Sequence, residues 1–338
     1  MITETPSTIL VYVGFDRIGD GLLKLPFVRG LRQAFPDARI TWLAGRETSV
    51  YAGVLAELAD GLIDEIVENG GIGVRPGEIL QRLSKGPLGG RRFDLIIDTQ
   101  RIFWTSLSLC RVPHGTFLSP AARFMLSSLK PAKGYKFPKT MQRQLLDLLE
   151  LVSGRQFPSP ETLEIDLKPE YGDASARLLP DGPDYVGFAP GSGGPPKCWP
   201  LENFIDLANR VTGQGRVPVF FLGPKEEDWL EQIKTGVPQA LFPLQNEMAA
   251  TPSGPSPLLT ISMAKRLSAA VSNDSGTGHM FAVGGAPVVI LYGVTRPAKF
   301  QPMTDRLTIV RAQDFGRSEM RLIPVDPVER ALMGILHP

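Results

Sequence analysis

Short apolar runs closed by Gly, Pro or Asp alternate along this chain with longer stretches in which apolar residues return every three to four positions. Runs of the first kind predict buried strands and those of the second predict amphipathic helices. The first half reads as strand Thr8–Phe15, helix Leu22–Phe35, strand Ile40–Leu43, helix Val50–Leu58, strand Glu65–Val67, helix Gly77–Leu83 and strand Phe93–Asp98. The second half reads as strand Tyr185–Ala189, helix Leu201–Val211, strand Val217–Leu222, helix Glu226–Ile233, a short strand at Leu241–Pro243, helix Leu258–Leu267, strand Ala269–Ser272, helix Gly276–Val283 and strand Pro287–Tyr292. Between them lie a helix at Gln144–Val152 and a Pro-, Gly- and Asp-rich stretch, Phe157–Asp184, with the composition of a linker and an entering strand. Strand–helix alternation is the signature of parallel α/β sheets, and here it occurs twice. The expected architecture is two Rossmann-like domains facing each other across a cleft, residues 1–165 and 166–325. In residues 326–338 a helix, Pro327–Ile335, is a candidate to return onto the first domain.

Composition narrows the class. At 338 residues the chain exceeds one comfortable core, and 43% hydrophobic with 21% charged residues is globular composition. The most apolar long stretch, Met280–Val294, is short and carries three glycines and Pro287, so it reads as helix end, turn and strand and not as a membrane span. Glu4 sits where a signal peptide would be basic, and Cys110 and Cys198 form neither a CxxC pair nor a metal cluster. A cytoplasmic protein is expected. The net charge of +1 hides a one-signed run: residues 99–146 hold Arg101, Arg111, Arg123, Lys130, Lys133, Lys136, Lys139 and Arg143 and no acid. Such a run points either to an anionic partner or to a solvated face, and no nucleic-acid partner is expected.

Three loops carry candidate chemistry, each after a predicted strand. Gly19-Asp20-Gly21 places a carboxylate between two residues that permit sharp turns and close approach, with an N-cap as the plain alternative for Asp20. Gly191-Ser192-Gly193-Gly194-Pro195-Pro196-Lys197 exposes backbone N–H groups, adds a full positive charge and runs into a helix start, which together suit a diphosphate. It is not a Walker A loop, and a simple strand-to-helix connection is its alternative. In Asn273-Asp274-Ser275-Gly276-Thr277-Gly278-His279, small and hydroxylic residues open a helix after a buried strand, where the helix dipole favours an anion. There Asp274 can accept from sugar hydroxyls, and His279 can donate to a phosphate or hold Asp274; the alternative is a cap and a packed histidine. No Asp-x-Asp and no metal-ligand spacing occurs, and neither half opens on a complete Gly-x-Gly-x-x-Gly. No metal and no cofactor are expected.

Taken in order, these segments resemble the ADP-heptose:lipopolysaccharide heptosyltransferases, glycosyltransferase family 9. The resemblance rests on Ile18-Gly19-Asp20 with Leu25-Pro26-Phe27-Val28-Arg29-Gly30-Leu31-Arg32, on Phe35-Pro36-Asp37-Ala38-Arg39-Ile40, on Phe93–Gln100 and on Pro190-Gly191-Ser192 with Lys197-Cys198-Trp199-Pro200-Leu201. It continues through Leu222-Gly223-Pro224-Lys225-Glu226 and is most specific at Val271–Gly276 with His279 and Ala286–Gly293. It covers residues 8 to about 311, and Gly193–Pro196 and Thr277-Gly278 depart from the family pattern.

The resemblance implies a GT-B fold, with the acceptor on the first domain and the nucleotide sugar on the second, and inverting, metal-independent transfer of a heptose from ADP-heptose to a lipopolysaccharide inner-core acceptor. It makes Asp20 the general base and gives Ser192 and Lys197 the departing diphosphate. Glu226 is placed near the nucleoside, and Asp274, Ser275, Gly276 and His279 at the donor sugar and phosphates. An anionic glycolipid acceptor would account for the basic run through Arg101, Arg123, Lys130 and Lys136, with peripheral contact at the cytoplasmic face of the inner membrane. The competing expectations are another nucleotide sugar or a protein acceptor on the same fold, a sugar-nucleotide epimerase, and a non-catalytic sugar-nucleotide-binding protein.

Overall fold

A computed structural model describes residues 4–72, 86–246 and 256–336; the helix expected at Gly77–Leu83 lies outside the described residues. The chain divides into two compact units, Met1–Pro160 and Glu161–Pro338.

The first unit runs β1 (Thr8–Val13), α1 (Ile18–Ala34), β2 (Arg39–Ala44), α2 (Ala56–Ala59), β3 (Glu65–Val67), β4 (Phe93–Asp98), α3 (Phe103–Leu109), β5 (His114–Leu118) and α4 (Met141–Ser153). Its five strands are all parallel in the order β3-β2-β1-β4-β5. β1 is buried on both faces, which is why Ile9-Leu10-Val11-Tyr12-Val13 reads as an unbroken apolar run. Gly30 lets α1 and α4 cross closely, since a Cβ there would come within 2.7 Å of Leu149 Cδ2. α1 begins four residues earlier than expected: Ile18–Gly21 is its first turn and not a free loop. Gly21 is required by packing, because a Cβ would lie 2.7 Å from Val50 Cγ2 while its carbonyl accepts from Tyr51 Oη at 2.6 Å. β5 escapes the sequence pattern through Gly115, where a Cβ would meet the Asp94 carbonyl oxygen at 2.8 Å.

The second unit runs α5 (Pro169–Leu178), β6 (Tyr185–Ala189), α6 (Leu201–Gly213), β7 (Val217–Phe220), α7 (Leu230–Gly236), α8 (Pro257–Ala264), β8 (Ala269–Asn273), α9 (Gly276–Val283), β9 (Val288–Tyr292), α10 (Pro297–Phe300), β10 (Leu307–Arg311) and α11 (Val325–Leu336). The sheet order is β10-β9-β8-β6-β7, all parallel. A single parallel bridge between Val219 and Leu241 extends it where a short strand is expected. The stretch read as linker contains α5, which packs on α8.

Within its own unit α11 packs on the sheet: Val328 and Leu332, one apolar stripe, are fully buried in the same core as Val271, Val289, Leu291 and Phe204. Burying each of these side chains is worth about 1.5–3 kcal/mol. Arg210 on α6 fixes the register by donating to Asp326 at 2.8 Å and to Glu329 at 2.7 Å.

Candidate active site

In an open parallel sheet, ligands collect beyond the carboxyl ends of two adjacent strands whose following connections run to opposite sides. In the second sheet those strands are β6 and β8: the chain leaves β6 toward β7 on one side and β8 toward β9 on the other. The loops that follow are Pro190–Pro200 and Asp274–Ser275, two of the three singled out from sequence.

Asn273, fully buried at the end of β8, ties them together. Its Nδ2 donates to the Pro190 carbonyl at 2.6 Å, and its Oδ1 accepts from Trp199 N at 3.0 Å, so both ends of the β6 loop hang on one amide. Trp199 is held in turn by Nε1 donating to the Ile323 carbonyl at 2.8 Å and by an edge contact with Phe204, centroids 5.0 Å apart. Sequence reading gave Asn273 and Trp199 no separate role; an amide closing a buried strand just before the acidic residue is the signal that was there.

Within this frame Lys197 Nζ lies 2.8 Å from Asp274 Oδ2, with Lys197 35% exposed and Asp274 9%. Asp274 therefore does not cap α9, and neither does Ser275: the helix has no side-chain cap, leaving its first amides to other acceptors. Ser275 Oγ lies 3.2 Å from Ser272 Oγ. Gly278 lets α9 lie tight on the sheet, since a Cβ would approach Ile290 Cδ1 to 2.7 Å and Ser272 Oγ to 3.1 Å. His279 is buried one turn into the helix. Ser192 Oγ donates to the Gly194 carbonyl at 3.0 Å and lies 3.2 Å from Cys198 Sγ, which shapes the turn before Lys197. Glu226 reaches the same loop from beyond β7. Its Oε2 accepts from Gly223 N at 3.0 Å, and its carboxyl carbon sits 2.5 Å from where a Gly191 Cβ would be, so both glycines are needed to admit it.

The first sheet has the corresponding pair in β1 and β4. Of the two carboxylates after β1, Asp16 is internal: it pairs with Lys24 and accepts from Trp42 Nε1 at 2.9 Å and Ser49 Oγ at 3.3 Å. Asp20 is half-buried at the third position of α1, where it accepts from Arg17 N at 3.3 Å. It belongs to a capping box and is not itself the N-cap. After β4, Thr99 Oγ1 donates to the Tyr12 carbonyl at 2.8 Å, and Gln100 packs beside Gly14.

Buried Asp98 anchors the second of these loops. It accepts from Gln100 N at 2.8 Å, Ser106 Oγ at 2.5 Å and Ser119 Oγ at 2.8 Å. Burial pushes its carboxyl up to about 6, against the lowering pull of Ser106, Gln100 N and Ser119. Ser119 exchanges bonds with Ser127, closing the segment in which Ala122, Arg123 and Phe124 all have positive φ, 46°, 53° and 63°. Three consecutive left-handed non-glycine residues store about 1–3 kcal/mol each. They are held by Phe124 stacked on Phe137 at 5.6 Å and edge-on to Tyr135 at 5.9 Å. Arg101 stacks on the other contact of that ring system, 3.8 Å from the Phe137 centroid. Arg123, Lys130 and Lys136 are exposed. Arg143 is not part of a free cationic surface: it pairs with Asp147 at 2.6 Å and Glu150 at 2.7 Å. The same region exposes Ile102, Trp104 and Met125, at 54%, 56% and 60%.

Among the described residues no helix is long and apolar enough to cross a membrane.

The model of glycosyltransferase family 9 (heptosyltransferase) matches residues 81–322. Lipooligosaccharide heptosyltransferase 2 of Haemophilus influenzae is 33% identical over 141 residues, 41% of this chain but only 39% of that protein. Lipopolysaccharide heptosyltransferase 2 of Salmonella typhimurium is 23% identical over 321 residues, covering 89% of this chain and 87% of the relative. The solved structure of ADP-heptose lps heptosyltransferase II from E. coli shares the fold, with a TM-score of 0.65, 19% identity, and coverage of 97% of this chain and 98% of that one. Built on two parallel α/β units of the GT-B type, the chain is a glycosyltransferase and belongs to family 9, the heptosyltransferases.

Proposed function

We propose that this chain moves a heptose from ADP-heptose to a phosphorylated lipopolysaccharide inner-core acceptor, with inversion and without a metal ion. The observation that carries this reading is the Lys197–Asp274 pair spanning the β6 and β8 loops beside the uncapped start of α9. An ammonium and several helix-terminal amides converging on one crevice suit a diphosphate leaving group. The donor named for the E. coli neighbour is ADP-heptose.

In the proposed reaction the acceptor hydroxyl oxygen bonds to the anomeric carbon as the bond from that carbon to the diphosphate breaks. The hydroxyl proton passes to Asp20, and ADP leaves with the electron pair. Lys197, the amides at the start of α9 and Ser192 answer the charge that develops on the diphosphate, while Asp274, Ser275, Gly276 and His279 surround the sugar and its phosphate and Glu226 lies on the nucleoside side. In this reading Lys197 and the helix dipole supply positive charge at the diphosphate, and backside attack inverts the anomeric centre. Arg101, Arg123, Lys130 and Lys136 would engage acceptor phosphates, and Ile102, Trp104 and Met125 among these cations would suit an anionic bilayer surface. On this reading the protein works at the cytoplasmic face of the inner membrane.

A thermal-shift screen of ADP-heptose against UDP- and GDP-sugars, followed by ADP release with extracted core acceptors in EDTA and an NMR assignment of the product anomer, tests each part. Stabilisation by a UDP- or GDP-sugar alone would replace the donor. Turnover abolished by EDTA and restored by a divalent cation would remove metal independence. Consumption of sugar nucleotide with no acceptor present would favour an epimerase.

A further inference from the structure

The hydroxyl of Tyr292 is an anomaly in a well-satisfied region. Tyr292 ends β9 and is fully buried, yet its Oη has no hydrogen-bond partner among the described residues. Buried hydroxyls nearly always have one, and an isosteric Phe would fill the same space without the cost. Its position explains why the hydroxyl is there. Asn273 of β8 lies opposite Leu291 of β9, and the next N–H, that of Asp274, donates to the Leu291 carbonyl at 3.1 Å. Asp274 and Tyr292 are thus the next residues on two adjacent strand ends. Burial raises the phenol's pKa well above its ordinary value, and the Asp274 carboxylate raises it further, so the two groups sense each other.

We propose that Tyr292 is a positioning residue for Asp274: when Lys197 turns from Asp274 to a bound diphosphate, the Tyr292 hydroxyl donates to the carboxylate that Lys197 has left. Without a replacement donor, recruiting Lys197 would strand a charge that is 9% exposed, and that cost would be subtracted from ligand affinity. With it, Asp274 keeps its orientation toward the sugar while the lysine serves the phosphates. The proposal rests on reading the Lys197–Asp274 crevice as the diphosphate site.

The test is Tyr292→Phe, measured by calorimetric titration with ADP and by thermal unfolding with and without it, beside the parent and Lys197→Ala. The expected result is ADP binding about three- to tenfold weaker, with the unfolding temperature of the ligand-free variant equal to or above the parent's. Parent-like ADP affinity in Tyr292→Phe, while Lys197→Ala is weakened, overturns the role of Tyr292 and leaves the diphosphate site standing. A lower ligand-free unfolding temperature accompanying weaker binding returns Tyr292 to packing and also overturns it. Failure of the parent to bind ADP, or equal binding by parent and Lys197→Ala, overturns the reading of the site and the proposal with it.

Discussion

Lys197 and Asp274, 77 residues apart in the chain, meet at 2.8 Å across the two loops that leave β6 and β8. The contact joins the one full positive charge of a Gly/Pro loop to the acidic residue that precedes an uncapped helix. Asn273 holds the same two loops from beneath through Pro190 and Trp199, so the pair sits on a fixed base. Lys197 is the more exposed partner and can turn to a phosphate, whereas Asp274, nearly buried, then needs another donor.

Gly278 sets how closely α9 approaches the sheet. Gly278→Ala is expected to destabilise the protein by about 1–3 kcal/mol through overpacking against Ile290 and Ser272, and to weaken ADP by moving the helix start. Urea unfolding and ADP titration check both; an unchanged urea midpoint would mean that the contact relaxes freely.

Asp20→Asn is expected to bind ADP within a factor of about two of the parent and to lose about 10²–10⁴ in turnover, the range for a general base. The check is ADP release under single-turnover conditions. Near-parent turnover would leave Asp20 with its capping-box bond to Arg17 as its only role.

Neutralising Arg101, Arg123, Lys130 and Lys136 together should raise the acceptor KM and flatten its salt dependence while ADP affinity stays at the parent value, because surface charge attraction is screened by salt. Arg143→Gln should behave differently, lowering the unfolding temperature, since it breaks the pairs to Asp147 and Glu150. An acceptor KM that ignores salt in the parent would make the run a solvated face.

Asp98 gives a pH signature. Its folded-state pKa, about 6, lies above the ordinary value of 3.8, so the folded state holds the proton more tightly. That contribution is full below the ordinary value and is lost as pH rises through about 6, at most about 3 kcal/mol for two pKa units. The lowered carboxyls of Asp64, Glu65 and Asp94 lose their contributions only as pH falls below their ordinary values, 3.8 for the two aspartates and 4.5 for Glu65. Between pH 5 and 7.5 the parent should therefore lose stability that Asp98→Asn does not, as followed by denaturant unfolding at the two pH values. Equal pH dependence in both proteins would show that Asp98 ionises without penalty.

Strands buried on both faces were legible because Ile9–Val13 and Val288–Tyr292 carry no polar interruption. The edge strand β10 was not, since its residues are mostly half-exposed, and β5 hid behind Gly115. The loops around Lys197 and Asp274 were found from residue type and spacing, but their contact was not, because a pairing over 77 positions depends on sheet order. The glycines beside Asp20 were readable as ligand-admitting, whereas Gly21 answers to Val50 and Tyr51. Tyr292 carries no signal in the sequence: a tyrosine ending an apolar strand looks like core until its hydroxyl is found without a partner among the described residues.

The most direct test of the diphosphate site is a calorimetric titration of ADP into the parent and into Lys197→Ala at one ionic strength. Loss of a charge-assisted contact predicts affinity lower by about 10- to 100-fold in the variant. Indistinguishable titrations would contradict the account.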